Sequence, residues 1–333
     1  MKNIFGFLLA MIFSQLVFSQ NIWNVKAIQP SGKILDIKAI DKQGNYLDVK
    51  AISISANNQY LDVKAIKNGK YLSVKLMPGN ERYHPMKAID ENGDVLDIKA
   101  ITAQKEKIDV KGVRQDGHII SIKAVTSTGD FYGVKAISKD GKLRDVKGVK
   151  FENSDIEGTT QGKDFFANVK ALPQIVCNGD EMIWHVKGIS PDGKLLDIKA
   201  IGKDGKPNDV KAIFENGNNH IIDIKAFIGD AKLPVKILSS KEKYGPVKAI
   251  GNDGLIYDIK CLDEAGNKLD VKGVTVDGNI TNIKVVARDG SFWGVKAISP
   301  SGNFYDVKGI NLENEIKVNG IVVKAHVKAL PQE

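Results

Sequence analysis

Residues 46–52 read Tyr-Leu-Asp-Val-Lys-Ala-Ile, and the turn sequence Asp-Lys-Gln-Gly-Asn precedes them at residues 41–45. Variants of this strand and turn recur along nearly the whole chain. A unit of about twelve residues is too short for a strand plus a helix, so each repeat is predicted to be one strand and one tight turn. The lysine of the strand stands at positions 26, 38, 50, 64, 75, 87, 99, 111, 123, 135, 147 and 170, and again at 187, 199, 211, 225, 236, 248, 260, 272, 284, 296, 308 and 328.

The spacing of these lysines indicates an internal duplication. Each series begins with spacings of 12, 12, 14 and 11 residues, and an offset of 161 (187 − 26) carries the first series onto the start of the second. The closing Ala-Leu-Pro-Gln of residues 171–174 reappears at residues 329–332. The sequence therefore predicts a tandem duplication, with one β-repeat domain at residues 20–174, a linker at 175–181 and a second domain at 182–333.

The turns indicate antiparallel hairpins. Gly44 and the pair Asn68-Gly69 supply the positive φ that tight hairpin turns require. A two-residue turn at Asn68-Gly69 places Lys64 opposite Ser73. Val and Ile dominate the strand centres, as is typical of a pleated surface.

The charged residues predict a register. With Gly44 in the bulge of a three-residue loop, Lys38 faces Asp48 and Asp36 faces Lys50. A parallel arrangement would stack lysine on lysine, which is unfavourable, so the pattern favours antiparallel strands.

The strand period of two separates two faces. Leu47, Val49 and Ala51 lie on the predicted core face, and Tyr46, Asp48, Lys50 and Ile52 lie on the solvent face. Glycine replaces the alanine after the lysine in several repeats, which predicts a close backbone approach on the core side at Gly112, Gly148, Gly188 and Gly273.

The predicted fold class is all-β, a tandem duplication of a unit of about twelve short antiparallel strands. Two arrangements of the unit remain open. The strands form a meander sheet or barrel, or they form a β-trefoil-like three-fold arrangement of four strands each.

Residues 1–19 have the features of a signal peptide. Lys2 is followed by an apolar run to Phe18, which is too short for a comfortable membrane span. We expect export to the periplasm or the extracellular space, with no transmembrane segment in the mature chain. The two cysteines, Cys177 and Cys261, do not form a disulfide framework, and Cys261 is expected to be a small buried thiol.

Composition excludes several function classes. The formal net charge is +8, but only four of the basic residues are arginines, so no nucleic-acid partner is predicted. The five histidines are scattered without metal-ligand spacing, and the sequence has no P-loop, dinucleotide fingerprint or nucleophile elbow. We therefore predict no catalytic residues, no metal and no cofactor.

Tyrosines are the candidate ligand-binding residues. Tyr46, Tyr60, Tyr71 and Tyr83 each stand four residues before the repeat lysine, on the lysine face of four successive repeats, and Tyr83 has a counterpart in Tyr244. Rings presented on a rigid sheet can stack on sugars. The alternative is that each ring packs on the isoleucine of a neighbouring strand.

The Gly turn followed by an aromatic, as in Gly44-Asn45-Tyr46 and Asn68-Gly69-Lys70-Tyr71, resembles secreted bacterial β-hairpin repeat proteins of the MORN or WG kind. The resemblance implies an interaction or scaffold role and carries no functional residues. The sequence thus predicts a non-catalytic exported protein with a binding or structural role, at the cell envelope, whose partner is a polysaccharide or another envelope protein. The alternatives are a glycan-binding module, and an enzyme with a site between the two halves.

Overall fold

The computed structural model describes residues 22–53, 59–79, 83–151, 155–174, 182–214 and 220–331. Every regular element in these ranges is a β-strand, which confirms the all-β prediction. The predicted signal peptide, the predicted linker and Cys177 lie outside the described residues. Among the described residues, no helix has the length and apolar character needed to cross a membrane.

The described residues of the first half form fourteen strands, twelve of which make one antiparallel sheet, while β12 and β13 pair only with each other there. The strands are β1 (Ile22–Ile28), β2 (Ile34–Ile40), β3 (Tyr46–Ile52), β4 (Leu61–Lys67), β5 (Lys70–Leu76), β6 (His84–Ile89), β7 (Val95–Ile101), β8 (Lys107–Asp116), β9 (Ile119–Val125), β10 (Phe131–Ile137), β11 (Leu143–Val149), β12 (Gly158–Thr160), β13 (Lys163–Phe165) and β14 (Ala167–Pro173).

The second half forms another antiparallel sheet of twelve strands, as the duplication predicts. The strands are β15 (Ile183–Ile189), β16 (Leu195–Ile201), β17 (Pro207–Ile213), β18 (Ile222–Ile228), β19 (Ala231–Leu238), β20 (Gly245–Ile250), β21 (Ile256–Leu262), β22 (Lys268–Asp277), β23 (Ile280–Val286), β24 (Phe292–Ile298), β25 (Phe304–Val318) and β26 (Ile321–Pro331).

Each sheet is built from four triads, which are groups of three strands that all pair with one another. One edge of β2 shows the principle, because it pairs with β1 at residues 34–36 and with β3 at residues 38–40, while β1 and β3 also pair. The triads of the first half are A (β1, β2, β3), B (β4, β5, β14), C (β6, β7, β8) and D (β9, β10, β11). Those of the second half are E (β15, β16, β17), F (β18, β19, β26), G (β20, β21, β22) and H (β23, β24, β25).

Six two-stranded ribbons join the triads of each half. The other edge of β2 pairs with β7 of triad C over residues 36–40, and every pair of triads in the first half is joined once in this way. Four triads joined by six ribbons have the connectivity of a tetrahedron. The sheet therefore closes on itself without a continuous meander, and each triad has a local three-fold arrangement of strands.

The predicted register is confirmed within the hairpins and wrong beyond them. Lys38 faces Asp48, and Lys64 faces Ser73. Asp36, however, faces Lys26 of β1, and Lys50 faces Asn24 of the same strand. The predicted pairing of Asp36 with Lys50 is wrong because the third strand of each triad pairs with the first. β1 therefore lies opposite Asp36, where a longer hairpin would place β3.

Lysines also face each other at the centre of every ribbon, although such pairs were expected to be unfavourable. Lys38 faces Lys99 between β2 and β7, for example. The pair is tolerated because Lys38 Nζ bonds Asp48 and Lys99 Nζ bonds Asp109, each within its own triad. Each lysine charge is therefore compensated by an aspartate of the same triad and not by a residue across the ribbon.

The core of each half lies inside its closed sheet. Val49 and Ala51 of the predicted core face are buried, and Leu47 packs against them at the margin. The predicted close approach is confirmed, because a Cβ added at Gly148 would lie 2.5 Å from Leu76 Cδ1. Cys261 is a free, buried thiol in the second core, as predicted, and burial raises its pKa to about 12.

A separate apolar cluster joins the two halves. Tyr60, Ile119, Val149 and Leu172 of the first half pack with residues of the second half. The partners stand at corresponding repeat positions, namely Ile221, Ile280, Ile310 and Leu330. The halves thus contact each other through equivalent surfaces.

Candidate functional site

The outer face of each triad carries a ring of polar residues, which we call a ring and name by its triad. Ring A consists of Lys26, Lys38 and Lys50 alternating with Asp36, Asp48 and Asn24. The strand order places each lysine opposite a partner on the next strand of the same triad. The eight triads of the described residues therefore carry eight lysine rings.

Ion pairs hold most of these rings together. Lys38 bonds Asp48, and Lys199 Nζ lies 2.6 Å from Asp209 Oδ1. The hydrogen bond from Lys38 lowers the pKa of Asp48, and the hydrogen bond from Lys199 lowers that of Asp209. Ordinary ring pairs are thus charge-compensated, which favours the interpretation that the repeated Asp sets the strand register.

Three ring lysines make no hydrogen bond or ion pair with the described residues: Lys64, Lys123 and Lys284. Lys123 faces Gly133, and Lys284 faces Gly294, so glycine stands where rings A, C, E and G have an aspartate. These two lysines occupy corresponding positions in the two halves, since 123 + 161 = 284. We call rings D and H the gapped rings.

The gaps are open space. A Cβ added at Gly133 or Gly294 would have no neighbouring atom within 4 Å. There is therefore room for a side chain at both positions, and crowding does not explain the glycines. The pKa of Lys147 in ring D is lowered by burial, opposed by Asp145, and lowered further by Lys123 and Lys135. Each gapped ring therefore has three closely spaced lysines and only one aspartate, whereas ring A has two aspartates.

An aromatic pair lies beside each gapped ring. Phe131 stands two residues before Gly133 on the same face of β10, and its side chain is 46% exposed. Tyr83 meets it edge-on, with ring centroids 6.3 Å apart. The second half repeats the arrangement with Phe292, also 46% exposed, and Tyr244, whose ring centroids are 5.6 Å apart.

The predicted tyrosines do not share one surface. Tyr60 is only 6% exposed and donates a hydrogen bond from its hydroxyl to Asn279 Oδ1 of the other half, at 2.7 Å. The aromatic ring of Tyr60 is therefore not accessible to a ligand at the surface. Tyr46 faces Ile40 and Tyr71 faces Ile66 on neighbouring strands, which fits the alternative that these rings pack on isoleucine.

The structure places Tyr83 and Tyr244 in the two aromatic pairs. Sequence reasoning did not include their partners, Phe131 and Phe292, or the lysines opposite the glycines. The offset of 161 already mapped Tyr83 on Tyr244 and Gly133 on Gly294. Residues that depart from the repeat consensus but recur in both halves are therefore the sequence signal for these sites.

A cavity of about 360 Å³ lies between the two halves at ring B. Its wall includes Lys64, Lys75 and Lys170 of ring B and the segment of β25 around Glu313. Lys75 is buried, and burial lowers its pKa to about 8, opposed by Glu313. A smaller cavity of about 200 Å³ lies at ring F, the corresponding ring of the second half.

Within the described ranges, no group of three or more His, Cys, Asp or Glu side chains is arranged to hold a metal ion. His118 contacts Asp223 at 3.1 Å across the interface, and His326 contacts Lys236 in ring F. Both histidines are therefore engaged in contacts that join elements of the fold.

No curated protein matches the chain. The crystal structure of an agglutinin from Burkholderia oklahomensis resembles it, with 10% identity over 94% of this chain and 96% of the agglutinin, at a TM-score of 0.19. A TM-score this low carries no argument about fold or function. One family model matches twice, at residues 19–172 and 180–330, and the chain therefore belongs to the family of unknown function DUF7486.

Proposed function

We propose that the protein is a non-catalytic, exported binding protein that holds acidic polysaccharide at two equivalent surface sites. Each site combines an aromatic pair with a gapped ring. The observation that carries the proposal is the duplication of the whole arrangement, with Phe131, Lys123 and Gly133 in one half and Phe292, Lys284 and Gly294 in the other.

The aromatic pairs supply a surface for sugar rings. Phe131 is held edge-on by Tyr83, which leaves its exposed face in a fixed orientation. Aromatic side chains fixed in this way offer a large apolar area at little entropic cost, and they suit the apolar faces of sugars. Phe292 and Tyr244 present the same surface in the second half.

The gapped rings supply the preference for acidic sugars. Lys123 lies directly opposite Gly133 and diagonal to Phe131, because Val125 faces Phe131. Its ammonium group has no partner among the described residues, and the space beside it is open. A carboxylate or sulfate ester of a sugar stacked on Phe131 can take the place that Asp occupies in other rings.

Two sites on one chain favour a long ligand. If one polysaccharide reaches both halves, the second contact forms within the complex and raises the overall affinity without any new kind of contact. A polymer is therefore expected to bind more tightly than a short oligosaccharide of the same sugars.

A structural role at the cell envelope is the second candidate. Each closed sheet is pinned by ion pairs such as Lys26–Asp36, and an apolar cluster fixes one half on the other. A rigid body of this kind suits a scaffold whose partner is another envelope protein.

Binding is tested by passing the purified protein over an array of acidic and neutral polysaccharides. We expect retention on acidic polysaccharides that weakens as salt rises, because the ammonium contacts are screened. Phe131→Ala with Phe292→Ala should abolish it. Tyr46→Ala is the matched control, since Tyr46 is 46% exposed at the same strand position but lies in ring A, outside both gapped rings, and precedes Asp48, which is paired with Lys38. Equal loss in the control, or no retention at all, would leave the scaffold role as the better proposal.

Export is tested separately, by fractionating cells that express the full chain. We expect the mature protein outside the cytoplasm with residues 1–19 removed. Retention of the full chain in the cytoplasm would contradict export while leaving the binding proposal intact.

A further inference from the structure

The cavity between the halves is a separate site with its own chemistry. It lies at ring B, where the first half contributes Lys64, Ser73 and Asn168, and the second half contributes Asn279 and Asn311. At about 360 Å³ it is at the lower end of the usual range for ligand pockets, which is about 300–1,000 Å³.

The asparagines of this cavity present their donor groups. Lys75 Nζ donates to Asn168 Oδ1 at 2.6 Å, and because an ammonium group cannot accept, this contact fixes the amide orientation. Tyr60 donates to Asn279 Oδ1, and Thr281 Oγ1 donates to Asn311 Oδ1, both at 2.7 Å. All three amide oxygens are therefore engaged, and the Nδ2 groups keep their capacity to donate.

The carboxylates of the cavity are already engaged as well. Asp62 accepts a hydrogen bond from Lys170, and Glu313 accepts from Lys75 and from Thr160. Glu157 Oε1 accepts the backbone N–H of Phe151 at 2.7 Å.

Lys64 is the ring B lysine whose ammonium group has no partner in the described part of the chain. It faces Ser73, where rings A, C, E and G have an aspartate. Burial lowers the pKa of Lys64, an effect that the charges of Asp62 and Glu313 oppose, and an anion bound beside Lys64 would favour its charged form further.

The free hydrogen-bonding groups of the cavity are thus one ammonium and several amide donors. The charged side chains that line it are balanced, with three lysines against Asp62, Glu157 and Glu313. A balanced wall with one unpaired ammonium suits a single negative charge better than a dianion such as phosphate. Phe151 and Phe165 add an apolar surface to the wall, which suits the carbon skeleton of an organic ligand.

We propose that this cavity binds a small monocarboxylate of the size of a sugar acid, with the carboxylate on Lys64 and the amide groups of Asn168, Asn279 and Asn311 donating to the ligand's oxygens. The proposal does not depend on the surface sites. It assigns a second, enclosed site to the contact between the halves.

Ring F provides an internal comparison. Lys225 corresponds to Lys64 but lies 3.4 Å from Asp223, and Pro234 replaces Ser73. His326 stands in the place of Asn168 and contacts Lys236. The corresponding cavity therefore lacks the unpaired ammonium and the amide donor, and we expect it to bind no carboxylate.

Isothermal titration of the full protein with sodium glucuronate tests the proposal. We expect saturable binding at one site per chain, and no binding of glucose or of the methyl ester of glucuronate. Lys64→Met should weaken glucuronate binding at least tenfold, whereas Lys225→Met, the matched change in ring F, should leave it unchanged. Binding by Lys64→Met equal to that of the unchanged protein, or equal losses in both variants, would overturn the proposal.

A second variant guards against loss of folding. Asn168→Asp keeps an acceptor for Lys75 but places a carboxylate where the ligand's oxygens would lie, so it should abolish glucuronate binding while the thermal midpoint stays the same or rises. Retained binding by Asn168→Asp would count against the assigned site. Inorganic phosphate or acetate that binds as tightly as glucuronate would mean an adventitious anion only, and would overturn the assigned ligand class.

Discussion

Asp36 accepts its hydrogen bond from Lys26 of the preceding strand, although a simple hairpin would place it opposite Lys50. The reason is the closure of triad A, in which β1 pairs with both β2 and β3. Lys50 instead donates to Asn24 Oδ1 at 2.7 Å. One ion pair thus distinguishes a sheet of closed triads from a continuous meander.

Charge reversal at Asp36 tests this closure. We expect Asp36→Lys to lower the free energy of unfolding by about 0.5–1.5 kcal/mol, because it places like charges opposite each other in an exposed pair. Adding Lys26→Asp should restore part of the loss. Urea unfolding of the single and double variants measures the coupling between the two positions.

Lys50→Asp is the matched control for that experiment. Combined with Asp36→Lys it should give no coupling, because the two residues do not face each other. Coupling of Asp36 to Lys50 rather than to Lys26 would contradict the triad arrangement.

Much of the fold could be predicted from local pattern, and the rest depends on distant strands. The turn at Gly44 fixes Lys38 opposite Asp48, since both strands flank one short loop. The contact of Lys38 with Lys99 joins strands 61 residues apart (99 − 38), and the same half offers eleven other repeat lysines as nearly identical partners. A repeated sequence therefore determines the hairpins but leaves the choice of ribbon to the packing of the whole sheet.

The candidate sites also divide into residues that the sequence pattern predicts and residues that depend on distant strands. Tyr83 and Tyr244 could be selected from the sequence because they recur at the same offset. Phe131 could not be connected to Tyr83, since the pair joins the segment before β6 to the start of β10 through the closed sheet. The burial of Tyr60 depends on Asn279 of the other half, and no pattern within one repeat indicates that contact.

Core packing gives a second prediction, at Gly148. An added Cβ would lie 2.5 Å from Leu76 Cδ1 and 3.0 Å from Ile120 Cβ, so Gly148→Ala should lower the free energy of unfolding by about 1–3 kcal/mol. Leu76→Ala in the same chain should relieve the clash, so the double variant should be more stable than the sum of the two single changes predicts. Urea unfolding midpoints measure both effects.

Gly133→Ala is the control for that substitution. It also lies within a strand, but its added Cβ has no atom within 4 Å, so it should be neutral or stabilise by about 0.5 kcal/mol. Equal destabilisation by both changes would mean that backbone freedom, rather than crowding by Leu76, explains the glycine.

Acid should destabilise the protein because it protonates the aspartates of the lysine rings. Hydrogen bonds from Lys26, Lys38 and Lys199 lower the pKa of Asp36, Asp48 and Asp209 respectively. The unfolded chain, whose aspartates titrate near a pKa of about 3.9, then binds more protons than the folded chain as pH falls below about 5. The stabilisation is therefore full above that range and is lost as pH falls through the lower folded values.

Thermal unfolding at pH 7, 5, 3.5 and 2.5 measures this loss. Each exposed pair contributes only about 0.2–1 kcal/mol, but several are lost together, so we expect a total decrease of about 2–5 kcal/mol. Addition of 1 M sodium chloride should shrink the difference between pH 7 and pH 2.5, because salt screens exposed pairs. A thermal midpoint independent of pH would show that the rings contribute little to stability.

Filling the gapped rings tests the surface sites without touching their aromatic residues. Gly133→Asp gives Lys123 an aspartate partner of the kind that Lys38 has in ring A, and Gly294→Asp does the same for Lys284. Since both positions are open, the double variant should fold normally and gain up to about 1 kcal/mol from the new ion pairs.

The same double variant should bind acidic polysaccharide about ten-fold or more weakly and lose much of the salt dependence, because the new carboxylates take the lysines and repel the ligand. Gly133→Asn with Gly294→Asn is the control for size. It fills the same space without charge, so it should retain more binding than the aspartate pair. Affinity chromatography at 50 and 300 mM salt compares the variants. If the asparagine and aspartate pairs lose binding equally, the open space rather than the charge of Lys123 and Lys284 is what the ligand requires.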